Sequence, residues 1–280
     1  MTAPYDARPL PLTDPSVDAS GLAYWDYHGL PQLLSAKRPL TASADEDLFI
    51  CVHQVCELAF HQMILDLDRS LVATAAAFGA CDGLPEAEAL EEAAYFLARV
   101  PALYDTVNRT MPILTGLRAF QEFRTAIGAS SGFQSWQFRR LEIMSGVDRP
   151  YWRGGTSDAS GLPHVAEREL DRRYGRSIAE WFETHRQHSL AFWWRTAVDR
   201  AGTAETAARA LPRWAGLLRQ YEAAQLRFHR AHLGIAAVQL KKVGADIGTG
   251  GTDFRAYHTT YEREVAPLFA GLGGGSEIPP

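Results

Sequence analysis

Residues 48–68 read LFICVHQVCELAFHQMILDLD and decide the fold class. One side of this stretch collects residues at a spacing of three or four positions: Phe49, His53, Cys56, Phe60, Met63 and Leu67. That spacing predicts an amphipathic α-helix with one apolar face. His53 lies inside the apolar face. It is either a core histidine satisfied by a neighbouring group or a site histidine that faces a cavity.

The helical periodicity continues in both directions from this stretch, and strand-like alternation is scarce. Long helices are predicted at about 45–80, 85–125, 133–147, 164–202 and 204–243, the third with a break near 145–150. The predicted fold is therefore all-α, a single-domain helical bundle. Residues 1–20 are expected to form a flexible N-terminal arm, residues 21–272 the domain, and residues 273–280 a disordered tail.

Composition excludes several classes of protein. The 28 Lys and Arg residues against 33 Asp and Glu residues give a net charge of −5 without a basic run, which argues against nucleic-acid and membrane-surface partners. The longest apolar stretch, residues 71–81, is too short to cross a bilayer, and no secretory signal is visible. Three cysteines provide neither a disulfide framework nor zinc spacing. The expected location is the cytoplasm.

A cation interrupts a second apolar face. Phe120, Phe123, Arg124 and Ile127 share one side of a predicted helix. A buried guanidinium requires an anionic partner, which is either a structural Asp or Glu or the carboxylate of a substrate. The turn at residues 130–132, Ser-Ser-Gly, follows at once and would present Ser131 and its neighbours to the same ligand.

A third apolar face carries two histidines. One side of the last predicted helix collects Phe228, His232, Ile235 and Ala236, and the neighbouring side collects His229, Leu233 and Leu240. A helix histidine without a cysteine or a second nearby ligand makes a poor zinc site but suits a haem iron, which takes one proximal imidazole. The alternative is a satisfied core or surface histidine. The following GTGG run, with Thr249, lacks the phosphate-loop pattern and is a flexible turn able to close over a ligand.

Four ordered blocks of the sequence resemble one known family. They are LAYWDY at 22–27, DEDLFICVHQVCEL at 45–58, FRTAIGASSGFQSWQFR at 123–139 and GADIGTGG at 244–251. Together they are similar to the tryptophan 2,3-dioxygenase family, whose members are all-helical enzymes that use haem b and O₂ to open the indole ring of L-tryptophan. The resemblance therefore implies haem b as cofactor, O₂ as co-substrate and an aromatic amino acid as substrate.

The resemblance also implies roles for single residues. Phe49 and His53 line the distal pocket, with His53 near the indole N–H, and Phe120 forms its aromatic wall. Arg124 pairs with the substrate carboxylate. Ser131 lies beside the haem propionate and the substrate.

The remaining implied roles concern the two ends of the chain. Thr249 holds the substrate ammonium, while Tyr24 and Tyr27 reach the site of a neighbouring subunit in a homo-oligomer, a tetramer or a dimer. His232 is the implied proximal iron ligand, matched through Glu222, which precedes it by ten positions. His229 is the less favoured ligand, because it lies farther from the glycine run.

The sequence departs from the family pattern in three places. First, sixteen positions separate His232 from Gly248, which is three more than in the family. Second, Asp253 follows the glycine run. Third, Ala59 replaces a tryptophan of the family. The implied reaction is 2,3-dioxygenation to N-formylkynurenine. A monooxygenase of the same family, giving an oxindole or a hydroxylated aromatic amino acid, is the alternative. A haem sensor without catalysis is the alternative from another class of protein.

Overall fold

The computed structural model describes residues 24–128, 134–148, 178–245 and 267–272. Within these ranges the chain forms helices and turns and contains no strand. The all-α prediction is confirmed. The N-terminal arm at 1–20 and the tail at 273–280 lie outside the described residues, so the domain limits stay predictions.

Ten α-helices follow one another in the described residues. In chain order, α1 to α10 are Tyr24–Tyr27, Leu30–Ser35, Ala44–Gly79, Glu91–Thr110, Phe120–Arg124, Trp136–Ser145, Ile178–His185, Leu190–Ala201, Ala204–Ala210 and Pro212–Lys242. Two 3₁₀ turns, Ala87–Leu90 and Met111–Gly116, flank α4.

Three of the predicted helices are wrong as single elements. The helix predicted at 85–125 ends at Thr110 and gives way to a 3₁₀ turn and the extended residue Leu117 (φ −56°, ψ 133°). The helix predicted at 204–243 breaks at Leu211, because Pro212 disfavours the helical conformation of the residue before it. The described part of the helix predicted at 164–202 breaks between α7 and α8, where the Ser189 hydroxyl caps α8.

The core is organised around α4. This helix packs against α3 on one side and against α10 on the other. The inner face of α3 also packs against α6, and the Phe60 ring of α3 meets the Phe228 ring of α10 at 5.5 Å. The arrangement therefore brings one side of α3, α6 and α10 together around a common space.

By length and composition alone, α3 could cross a membrane. The shorter apolar stretch at 71–81 did not indicate this. Its inner face is buried against α4 and α6, and a core helix passes the same test. The helix also contains Asp66, whose fully buried carboxylate lies 3.2 Å from Arg99 and 3.3 Å from Arg69. These contacts are those of a core helix with a paired buried charge.

Gly146 ends α6 in a left-handed conformation (φ +100°), and a Cβ there would lie 2.5 Å from the Ala191 Cβ. Replacing Gly146 by Ala should therefore lower the free energy of unfolding by about 2–4 kcal/mol. Gly216 in α10 has open space around it, so Gly216→Ala should raise the same quantity by about 0.5–1 kcal/mol. Urea denaturation of both variants measures the difference, and effects of equal sign would contradict the described packing.

Candidate functional site

α3, α6 and α10 line a cleft that opens to solvent. Its cavity volume is about 60 Å³, which is room for a few water molecules and well below the roughly 300–1,000 Å³ of ligand pockets, so a large ligand would have to extend beyond it. Its wall combines aromatic rings with imidazoles, namely Phe60, Phe138, Phe228, His53, His229 and His232. The sequence singled out these three histidines separately, and the fold brings them to one cavity.

His53 lies partly buried on the α3 side of the cleft. Its Nδ1 is 2.7 Å from the carbonyl oxygen of Phe49, and the two rings are 4.2 Å apart. Because a carbonyl oxygen only accepts hydrogen bonds, Nδ1 carries the proton and Nε2 remains an acceptor. Burial lowers the pKa of His53, an effect that the Phe49 carbonyl and the negative charge of Glu57 oppose. His53 is thus a neutral hydrogen-bond acceptor at pH 7.

His232 lies on the α10 side of the same cleft. Burial lowers its pKa to about 4, and the positive charges of Arg139 and of His53, when His53 is protonated, add to that effect. The ring stacks on Phe228, with centroids 6.2 Å apart and planes at 25°. A metal-ligating imidazole must be neutral, and His232 meets that condition at pH 7.

His229 precedes His232 by almost one turn of α10 and also lines the cleft. It is buried, and its ring lies 5.4 Å from that of Phe138 and 5.7 Å from that of Phe228. His232 is the less enclosed of the two and therefore the more accessible to a ligand in the cleft. The choice of His232 over His229 as iron ligand stays a prediction.

Aromatic rings connect the His53 wall to α5. The Phe49 ring lies 6.1 Å from Phe120 and 5.3 Å from Phe123. Phe123 fills the core, whereas Arg124, the last residue of α5, is partly exposed. The Nε of its guanidinium is nonetheless buried. Phe49, Phe120 and Arg124 are not among the described residues that line the cleft, so the structure does not bring these three predicted site residues to its wall.

The remaining site residues have separate outcomes. Ser131 and Thr249 lie outside the described residues, and their roles stay predictions. Tyr24 and Tyr27 on α1 are 68% and 71% exposed, and both rings contact His28. Such exposure leaves both tyrosines accessible to another molecule.

Glu222, through which the resemblance matched His232, forms hydrogen bonds that hold a turn in place. Its Oε1 accepts hydrogen bonds from the backbone N–H groups of Leu268 at 2.5 Å and Phe269 at 3.4 Å. The Trp194 indole donates to the carbonyl of Ala270 at 3.0 Å. These bonds fix the turn at residues 267–272 against α10, through Glu222, and against α8, through Trp194.

Sequence reasoning missed Arg139 and Cys56, which both line the cleft. Arg139 is buried and forms an ion pair with the buried Glu142 one turn further along α6. The signal was present as an Arg and a Glu three positions apart on a helix with apolar neighbours. Burial raises the pKa of the Cys56 thiol to about 12, so it stays protonated and does not compete as a thiolate ligand.

The donor set fits a haem. The cleft offers three imidazoles, a protonated thiol and aromatic walls, and a haem, which brings its own four equatorial ligands, requires only one of those imidazoles. No group of three or more His, Cys, Asp or Glu residues is placed to hold a bare metal ion within the part of the chain that the structure describes.

The fold and the cleft define an all-helical class of protein with a site lined by aromatic rings and imidazoles. Comparison with known families gives a match to the tryptophan 2,3-dioxygenase family over residues 13–199. The chain belongs to the tryptophan 2,3-dioxygenase family, which confirms the resemblance. The matched segment contains α1 to α7 and most of α8, and it ends before α10 and His232.

Individual relatives carry the same name. A tryptophan 2,3-dioxygenase of Anaeromyxobacter sp. (strain K) is 37% identical over 153 residues, which cover 53% of this chain and 54% of the relative. That of Anopheles gambiae is 30% identical over 194 residues, covering 62% of this chain and 47% of the relative. The chain thus spans about half the length of the curated relatives it matches.

Proposed function

We propose that this chain is a haem-dependent oxygenase that inserts both atoms of O₂ into the indole ring of L-tryptophan, giving N-formylkynurenine. The observation that carries the proposal is the placement of neutral His53 on α3 and neutral His232 on α10 in one aromatic-walled cleft. Family membership supports the same reaction, since the compared relatives are named for it.

His232 would hold the haem iron. A bound haem supplies an iron centre with a face open to O₂. Neither O₂ nor an indole reacts fast alone, so the task of the chain is to hold both in contact and to keep water out. The rings of Phe60, Phe138 and Phe228 provide the apolar wall that excludes water.

The other residues orient the amino acid. Phe49 and Phe120, whose rings lie 6.1 Å apart, would contact the indole ring. The Nε2 of His53 would accept the indole N–H, and Arg124 would bind the substrate carboxylate through its two-pronged guanidinium. Ser131 and Thr249 would complete the site at the propionate and ammonium ends.

Replacing His53 by Ala should raise the KM for L-tryptophan about 10-fold, because one hydrogen bond to the indole is lost. Haem content should stay near one per chain, since His53 is not the proposed iron ligand. The exposed His61, about two turns further along α3, provides the matched control as His61→Ala. Steady-state kinetics and haem absorbance measure both quantities. Equal haem loss in His53→Ala and His232→Ala would contradict the assignment.

The reaction itself is tested by product mass. The haem-loaded, reduced protein is incubated with L-tryptophan under ¹⁸O-labelled O₂. Two labelled atoms in the product are expected. One labelled atom would replace the proposal by the monooxygenase alternative and make Asp253 the residue to explain. Haem binding without any product from tryptophan, substituted tryptophans or tyrosine would favour the sensor alternative.

Assembly and location belong to the same proposal. The exposed Tyr24 and Tyr27 support a homo-oligomer in which α1 reaches a neighbouring subunit. The proposed location is the cytoplasm. Sedimentation of the haem-loaded protein at several concentrations tests the assembly, and a monomer at all of them would reject it.

A further inference from the structure

The connector between α4 and α5 is held by side chains from two distant helices. It comprises residues 111–119, a 3₁₀ turn followed by extended Leu117 and by Ala119, the residue that precedes α5. Backbone groups in such a segment lack the regular partners of a helix and need others. Five of them bond to side chains of α3 and α10.

On the α3 side, Asp45 takes the backbone donors. Its Oδ2 accepts from the N–H groups of Arg118 and Ala119, both at 2.6 Å. Hydrogen bonds to an ionised carboxylate are shorter and stronger than neutral ones. Asp45 thus ties the first turn of α3 directly to the start of α5.

On the α10 side, Lys242 takes the backbone acceptors. Its Nζ donates to the carbonyl oxygens of Thr115 at 2.8 Å and Leu117 at 2.7 Å. The amide of Gln239, one turn earlier, donates to the carbonyl of Leu114 at 2.5 Å. Hydrogen bonds to an anion on α3 and to a cation on α10 therefore hold the connector in place.

The two anchoring helices are those that carry the two imidazoles. Asp45 precedes Phe49 by four positions and His53 by eight, so these three residues share one face of α3. Lys242 ends the helix that carries His232. α5 has only five residues and no side-chain cap, so its placement depends on tertiary anchors.

We infer that Asp45 and Lys242 are positioning residues that set α5, and with it Arg124, relative to α3 and α10, the helices that carry His53 and His232. The inference rests on the proposed function, in which Arg124 binds the carboxylate of the amino acid. Loss of either anchor frees the connector and displaces the carboxylate contact. The indole contacts of Phe49 and the iron ligand on α10 stay in place.

The test compares Asp45→Ala and Lys242→Met with two matched controls in the haem-loaded protein. Asp47→Ala removes a carboxylate from the same first turn of α3, where it pairs with the exposed Lys37 at 3.0 Å. Lys241→Met removes the neighbouring exposed cation at the end of α10. Calorimetry measures the Kd of L-tryptophan and of tryptamine, which lacks the carboxylate, and absorbance measures haem content.

Asp45→Ala and Lys242→Met should each raise the Kd of L-tryptophan about 10-fold, because the oriented contact is lost. The Kd of tryptamine, the haem content and both controls should stay unchanged. Asp45→Asn keeps one acceptor oxygen and should recover part of the loss. It also provides a milder variant if Asp45→Ala fails to fold.

Three outcomes would overturn the inference. The first is an equal loss of affinity for L-tryptophan and tryptamine, and the second is an equal effect in the controls. The third is an Arg124→Ala variant that loses L-tryptophan affinity while both anchor variants keep it, which rejects the positioning role and leaves the proposed function intact. Wild-type protein that binds neither compound rejects the proposed function itself.

Discussion

Replacing His232 by Ala is expected to weaken haem binding by more than about 100-fold while the chain stays folded. Loss of a group that merely supports a metal ligand already costs 10–100-fold in affinity, and loss of the proposed ligand should cost more. The fold should survive, because His232 is partly exposed and Phe228 keeps its ring contacts with Phe60 and Phe138. Titration of haem into the haem-free protein, followed by the intense absorbance band of bound haem, measures the affinity.

His229→Ala is the matched control for this result. His229 lies on the same helix, three positions earlier, and lines the same cleft. The His229→Ala variant should keep its haem affinity within a few-fold of that of the parent chain, because only side-chain packing changes in this variant. Added imidazole should restore haem binding in His232→Ala by entering the space left by the ring. Haem loss in His229→Ala alone would transfer the ligand role to His229.

Replacing Arg124 by Ala is expected to raise the KM for L-tryptophan roughly 100-fold, with a smaller change in kcat. A charge-assisted, two-pronged contact with a carboxylate contributes about 1.5–3 kcal/mol, which corresponds to roughly 10–150-fold in affinity. Haem content should not change, since α5 contributes no residue to the described lining of the cleft around His232. Steady-state kinetics with L-tryptophan and tryptamine measure the effect, and only the carboxylate-bearing substrate should respond.

Arg118→Ala is the control for Arg124→Ala. Its side chain is exposed, it lies six positions earlier, and the substitution keeps the backbone N–H that Asp45 binds. Arg124→Lys should give an intermediate KM, because an ammonium keeps the charge but not the planar fork. An unchanged KM in Arg124→Ala would reject the carboxylate contact.

α3 could be predicted almost to the residue, at 45–80 against the observed Ala44–Gly79. Its apolar face is regular, and no proline interrupts it. The helix predicted at 85–125 failed for an instructive reason. Met111, Leu114 and Leu117 are buried at a spacing of three, which a 3₁₀ turn and an α-helix present alike. Pro112 and Gly116 were the local signals of the break.

The site was predictable in parts. His53 and His232 each interrupt an apolar face, so periodicity singled them out one at a time. Their meeting in one cleft came from the family resemblance and from the packing of α3 and α10 on α4, which no local pattern contains. Asp45 was not predicted because its partners are backbone groups of a distant connector. The ion pair of Arg139 with Glu142 is local, but that Arg139 lines the cleft follows only from the packing of three helices.

The separation of the two imidazoles along the chain has a consequence for biosynthesis. His53 leaves the ribosome 179 positions before His232, and at 5–20 residues per second the delay is roughly 10–35 s. During that interval α3 and α4 can pair, because their contacts are close in sequence. The cleft cannot close until α10 emerges. Capture of the proposed haem would therefore follow the synthesis of α10, and a nascent chain stalled before residue 212 would be colourless.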